Sequence, residues 1–212
     1  MADTQLEELV LRALETEHGG VAIYRTALRC VRNKDLKEEW TKYLEQTEQH
    51  ERIVRRLCEA LGIDAARDTL GRLIVRSKGQ VLVKAMELAR GAGDPDAAQR
   101  VAAECVVDAE TTDHMNWELI GEVAKRAKGD ERKALTAAYE KVEDEEDEHL
   151  YHSTGWAREL WLDALGLAAV LPPPEERKDV KTAIGAARAK QARTTMRRAG
   201  PQRSRSSRKR RA

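Results

Sequence analysis

Four long segments of this 212-residue chain carry apolar residues at three- and four-residue spacing. Each one interrupts its apolar stripe with a carboxylate or histidine near mid-length. Such spacing marks amphipathic helices. The segments are also rich in Ala, Leu, Glu, Lys and Arg, which favour helix. No strand-like alternation competes, so the chain is expected to be all-α.

Helices are expected over residues 3–31, 35–61, 96–127 and 130–165, with a helical connecting segment at 68–89. The short turn at 32–34 makes the first two helices antiparallel neighbours. Gly62, the Gly91–Pro95 punctuation and Lys128-Gly129 separate the rest. Ser153-Thr154-Gly155 is a candidate kink in the last helix. Pro172, Pro173 and Pro174 end the compact part. The expected architecture is a four-helix bundle over residues 1–171, with a long helical crossover between its second and third helices, and a tail at 172–212.

Projected at about 100° per residue, the first helix aligns Leu6, Val10, Leu14, Val21, Tyr24 and Leu28, with Glu17 at the middle of the stripe. The third aligns Ala103, Val106, Val107, Trp117, Gly121 and Ala124, with Glu110 at the middle and His114 on the same face. An aromatic residue follows each glutamate by seven positions, Tyr24 after Glu17 and Trp117 after Glu110. This reads as a weak internal repeat. Gly19-Gly20 lowers helix propensity beside Glu17 and would allow a close helix approach there.

The fourth helix contains EDEEDEH at 143–149. Its stripe passes through Leu135, Ala138, Val142, Trp156 and Leu160. Glu146 and His149 lie on it and Glu145 beside it, whereas Glu143, Asp144 and Glu148 point away. A Glu-x-x-His pair shares one helix face and can hold one ion. On the second helix the stripe is Trp40, Tyr43, Val54, Leu57 and Leu61. Thr47, His50 and Glu51 fall on it and Glu48 sits at its edge. His18 and His152 project off the stripes and are expected at the surface.

Taken singly, an inward Glu can pair with a buried Arg, and an inward His can be a hydrogen-bonded core residue. Together, Glu17, Glu110, Glu146 and either Glu48 or Glu51 would crowd the middle of one bundle. They would repel one another and lose hydration. The central turns offer no inward Lys or Arg to neutralise them, so divalent cations are expected.

With these residues the chain resembles the ferritin-like superfamily, four-helix bundles with one long crossover and a di-iron carboxylate centre. That centre takes one Glu from each of two helices and Glu-x-x-His from each of the other two. LEQTEQHERIVRRLCEALG (44–62) and AAQRVAAE (97–104) resemble small bacterial stress-associated members. The resemblance implies Glu17 and Glu110 as single-Glu ligands and Glu146 with His149 as a Glu-x-x-His pair. The second helix departs from the pattern, because Thr47 stands three residues before His50. Two registers are open, Glu48 with Glu51 or His50 with Glu51. Aligning the second-helix run on the fourth favours Glu48 and Glu51. The implied cofactors are two iron or manganese ions, and the implied activity is Fe(II) oxidation by O2 or peroxide, of ferroxidase or peroxidase type. No cysteine-rich electron-donor domain accompanies the bundle.

Three cysteines, Cys30, Cys58 and Cys105, without C-x-x-C, exclude a disulfide framework and a four-cysteine metal site. With no apolar leader or spanning segment, the expected location is cytoplasmic. The net charge of +1 hides a division. Residues 175–212 hold 14 Lys/Arg against 3 Asp/Glu, leaving 24 against 34 in residues 1–174. An acidic body thus carries a basic tail. Residues 177–211, with Arg193, Arg197, Arg198, Arg203, Arg205, Arg208, Lys209, Arg210 and Arg211, are candidates for DNA or RNA phosphates. A rival reading makes the bundle a scaffold and the tail the working part of a nucleic-acid-associated stress protein. A third places the basic segment on a membrane surface. A homo-oligomer is compatible with all three.

Overall fold

The computed structural model describes residues 4–170. Six helices follow one another: α1 (Thr4–Cys30), α2 (Lys34–Leu61), α3 (Leu70–Gly91), α4 (Pro95–Arg126), α5 (Gly129–Tyr139) and α6 (Glu143–Ala164). The protein is an all-α bundle. α1 packs against α2, α3 and α4, and α4 packs against α6, α5 and α3. α2 packs against α5 and α6, and α3, which links α2 to α4, packs against α1 and α4.

Local chemistry sets the boundaries. The Asn33 side chain accepts from the backbone N–H groups of Asp35 and Leu36 and starts α2. Gly62, at φ 68°, ends it in a left-handed turn that satisfies the Cys58 and Glu59 carbonyls. Asp94 caps α4 with Pro95 in the first turn. Gln99 ties the α1–α2 turn to α4, its Oε1 accepting from the N–H of both Arg32 and Asn33 at 2.7 Å.

The expected fourth helix is broken. Three-residue turn bonds from Lys141 to Ala138 and from Val142 to Tyr139 separate α5 from α6. The break places Glu143, Asp144, Glu145 and Glu146 in a first helical turn. There the free N–H groups and the helix dipole favour negative charge; mid-helix they would gain nothing of the kind. Ser153-Thr154-Gly155, the candidate kink, lies within one continuous α6.

The core is divided. One apolar cluster contains Leu14, Ile53, Trp117 and Val142, the other Tyr24, Tyr43, Val106 and Trp156. On four of the helices the stretch between those positions is where buried polar residues gather: Glu17 on α1, Thr47 and His50 on α2, Glu110 and Asp113 on α4, Glu146 and His149 on α6. Gly20 lets α2 approach, since a Cβ there would meet the Thr47 methyl at 3.0 Å.

Away from this layer, Glu15 ties α1 to α3. Its carboxylate accepts from Arg72 Nε at 2.9 Å and Arg76 Nε at 2.8 Å. Arg72 also donates to the Ala65 and Arg67 carbonyls and so fixes the 62–69 loop. Burial alone would raise the Glu15 pKa, but the two guanidinium groups outweigh it and hold the carboxyl below its ordinary value of 4.5. A depressed folded-state pKa contributes stability that is present above that value and lost as pH falls through the lower one. Glu15→Gln should therefore cost roughly 3 kcal/mol in urea unfolding near neutral pH, because Arg72 stays buried without its acid. The difference from the parent should shrink as the pH drops below about 4.

Candidate metal centre

Six side chains meet in the polar layer: Glu17, His50, Glu110, Asp113, Glu146 and His149. None is more than 4% exposed. His50, Glu146 and His149 each bring a ligand atom within 4.8 Å of the others, and so do Glu17, Asp113 and Glu146. Glu146 belongs to both triads, the position a bridging carboxylate would take. Glu110 Oε2 lies 3.6 Å from His149 Nδ1.

The surroundings orient these groups toward a common centre. His149 Nε2 donates to Gln46 Oε1 at 3.1 Å, which turns Nδ1 toward Glu110 and Glu146. His50 follows the same plan: Nε2 faces Glu145 at 2.7 Å and Nδ1 faces Glu146 at 2.9 Å. An outer acceptor that fixes the tautomer and aims the opposite nitrogen inward is the usual support of a metal-binding histidine. Trp117 Nε1 donates to Glu17 Oε1 at 2.7 Å. Tyr24 faces Glu110; burial and that charge push its phenol well above the usual range. The two halves of the sequence repeat are thus interlocked, each aromatic residue serving the other half's glutamate.

The cluster is short of positive charge. Among the described residues Arg72 is the one buried Lys or Arg, and Glu15 holds it. Burial, with Asp113, Glu146 and Glu110 nearby, drives the Glu17 carboxyl well above its usual range despite the Trp117 hydrogen bond. Burial with Glu146 and Glu110 does the same to Asp113. For His50, burial acts downward but the bonds to Glu146 and Glu145 outweigh it, so the imidazole holds its proton above its ordinary range. Glu17 Oε2, Glu110 Oε2, Asp113 Oδ1, Glu146 Oε2 and His149 Nδ1 are buried without a hydrogen-bond partner. Each unpaired buried group costs about 1–3 kcal/mol. Five such atoms around one centre, all with lone pairs free when deprotonated, fit cations. Carboxylate and imidazole donors suit iron or manganese.

The structure separates the sequence candidates. It brings together Glu17, Glu110, Glu146, His149 and His50. Glu48 and Glu51, the favoured second-helix register, stay outside. Glu48 pairs with Arg25 at 2.7 Å and Glu51 with Arg55 at 2.6 Å and His18 at 3.3 Å. They occupy the flank of α2 that faces α1, while Thr47 and His50 take the inward positions. His114 is also outside, bonded to Asp147 at 2.7 Å and packed edge-on against Tyr151. Asp113 takes the inward place that His114 was expected to hold. It stands three residues after Glu110, the same spacing as Glu146 and His149, and that was the signal available for it. His152, expected at the surface, is buried next to the centre. It bonds Tyr43 at 2.7 Å and contacts Glu39, which also accepts from Trp156. Tyr43 in turn packs on the His149 ring at 4.2 Å. The tail residues from Arg193 to Arg211 lie outside the described residues.

No protein-family model matches the chain, and neither a curated protein nor a solved structure matches it significantly. The physical arrangement of the site therefore carries the functional argument.

Two outcomes follow. Glu146→Ala and His50→Ala should each lower bound iron or manganese, measured by elemental analysis after dialysis, with helical circular dichroism retained. Glu48→Ala and Glu148→Ala should leave it unchanged. Second, raised acid pKa values in the folded state favour folding at low pH, and that advantage is lost as pH rises through them. The metal-free bundle should thus gain stability from this pair on mild acidification. Metal must displace the same protons, so apparent affinity should fall from pH 7.5 to 5.5. At a hundredfold excess over Kd, metal should stabilise the bundle by about 2.7 kcal/mol. Anaerobic thermal melts with Mn(II) at several pH values check both signs.

Proposed function

We propose that this protein is a ferritin-like, non-haem carboxylate protein that holds two iron or manganese ions and oxidises Fe(II) with O2 or peroxide. The observation that carries the reading is the pair of ligand triads sharing Glu146, flanked by two imidazoles whose Nε2 atoms are bonded outward, with no buried counter-cation beside them among the described residues. Ions bound there would supply the one-electron redox chemistry. Two Fe(II) provide two electrons, and with two protons these reduce O2 to hydrogen peroxide; two more of each reduce peroxide to water.

The chain's own groups have distinct parts in this. Glu146 would be shared between the ions, Glu17 and Asp113 would hold one, and His50 and His149 the other, with Glu110 beside His149. Gln46 and Glu145 keep the imidazole Nε2 protons away from the centre, and Trp117 fixes Glu17. Compared with the ferritin-like pattern, α2 contributes histidine without its glutamate and α4 contributes a second carboxylate. The net donor charge remains suited to two divalent ions.

The basic segment extends the proposal. Residues 177–211 would hold DNA or RNA phosphates without reading sequence, keeping iron oxidation beside a molecule that free Fe(II) and peroxide damage. The charge division between body and tail supports this.

Fe(II) added to the metal-free full chain under air tests the first part. Oxidation should be well above the buffer rate, and Glu146→Ala should abolish the excess. A rate equal to that of buffer would remove the redox reading and leave the scaffold reading. Gel-shift titrations test the second part. With about six phosphates engaged, log affinity should fall against log salt with a slope of about −5. A chain ending at Pro174 should lose binding and keep its metal; undiminished binding would contradict the assignment.

A further inference from the structure

The six inward groups are buried, and an apolar cluster lies on either side of them along the bundle. A cation therefore reaches them through a seam between the helices that carry them. Three of these seams are shut at this level. Between α1 and α2, a Cβ on Gly20 would meet the Thr47 methyl at 3.0 Å. Between α1 and α4, Asn116 Nδ2 donates to Thr16 Oγ1 at 3.0 Å and Trp117 Nε1 donates to Glu17. α3 packs over that seam from outside. Between α4 and α6, which pack extensively, His114 bonds Asp147 at 2.7 Å with the Tyr151 ring against it.

The seam between α2 and α6 is different. The two backbones come close at few points. At the level of the histidines, polar side chains span the distance. Lys42 Nζ donates to Glu148 Oε2 at 2.7 Å, His149 Nε2 donates to Gln46 Oε1 at 3.1 Å, and Glu145 Oε2 faces His50 Nε2 at 2.7 Å. Glu145 links solvent to the centre. Its side chain is 39% exposed, whereas that of His50 is 0% exposed. On the other side of the same ring, Nδ1 meets Glu146 at 2.9 Å. Consecutive carboxylates of α6 thus stand outside and inside one imidazole. The His50 and His149 rings lie side by side, centroids 5.6 Å apart and 28° from parallel. At their inner edge, His149 Nδ1 and Glu146 Oε2 are buried without a hydrogen-bond partner.

We infer that divalent cations enter and leave through the α2–α6 seam, with Glu145 as the carboxylate that takes the ion from solvent and the Lys42–Glu148 pair as a latch across the mouth. The inference rests on the proposed metal centre and adds its route of loading. An ion stripped of water in one step would bear the whole desolvation cost before any protein ligand replaced that water. Glu145 is partly exposed, so it replaces the first waters while others remain. Turning toward the ion releases His50 Nε2; turning back restores the bond that aims Nδ1 at the centre. Lys42 sets a positive charge at the mouth and occupies Glu148, and both effects oppose an arriving cation.

Stopped-flow mixing of the metal-free full chain with Mn(II) reads loading, through quenching of tryptophan fluorescence, because Trp117 bonds Glu17. Mixing the loaded protein with excess EDTA reads release. Lys42→Ala lies outside the centre. It should raise both rates together by roughly threefold at low ionic strength, where exposed charges act most on encounter, and leave Kd unchanged. Glu145→Gln keeps an acceptor for His50 Nε2 and loses the charge. It should slow loading by about tenfold, and release should slow with it. The direction of the release rate separates two roles, since loss of mere support for His50 would weaken binding and speed release. Arg25→Ala, which breaks the Arg25–Glu48 pair across the α1–α2 seam, should keep the parental rates. Faster release from Glu145→Gln would overturn the proposal. Parental rates in both Lys42→Ala and Glu145→Gln would also overturn it, and with parental metal content they would leave the centre standing. A parent chain that takes up no Mn(II) would remove the centre and the route together.

Discussion

Uncompensated negative charge inside the bundle is the constraint on which the rest depends. Four carboxyl groups, Glu17, Glu110, Asp113 and Glu146, are packed with two imidazoles between apolar clusters, and among the described residues no buried guanidinium or ammonium group answers them. An isolated carboxylate in such surroundings either protonates or finds a cation. Burial and the neighbouring acids push Glu17 and Asp113 toward the first route. Metal offers the second. Because the same layer interrupts all four sides of the bundle, the hydrophobic core is split into two halves that the polar centre joins.

The supporting contacts separate this centre from an accident of burial. A polar residue stranded in a core usually finds any available partner. Here the outward nitrogens of both histidines are occupied, by Gln46 and Glu145, while His149 Nδ1 and four carboxylate oxygens have no protein partner. The cross-bond from Trp117 to Glu17 fixes one carboxylate from the opposite helix. Rigid helices thus position the donors, and the partners around them set their direction.

Much of this was legible in the sequence, and the rest failed for a definite reason. Periodicity located the helices, and the polar interruptions of the stripes located Glu17, Glu110, Glu146 and His149. Projecting one helix at a time fixes which residues face inward; it leaves open which neighbour each flank meets. On α2 Glu48 and Glu51 were favoured by aligning its run on that of the fourth helix, against the projection of Glu48, and their flank meets Arg25 and His18 of α1. The limit of projection is why His114 was taken before Asp113 on α4: one lies toward the α6 seam and the other toward the interior. The broken fourth helix had a visible cause in four consecutive acids, which gain most from a helix N-terminus. His152 was misplaced because its partner, Glu39, comes from a distant segment.

The proposed centre requires two cations sharing Glu146. Crystals of the protein loaded anaerobically with Fe(II), measured at energies on either side of the iron absorption edge, test this most directly. Two anomalous peaks should flank the Glu146 carboxylate, about 3.5–4 Å apart, one beside His50 and His149 and the other beside Glu17 and Asp113. A centre with no peak, with iron only on the exposed acids of α6, would contradict it.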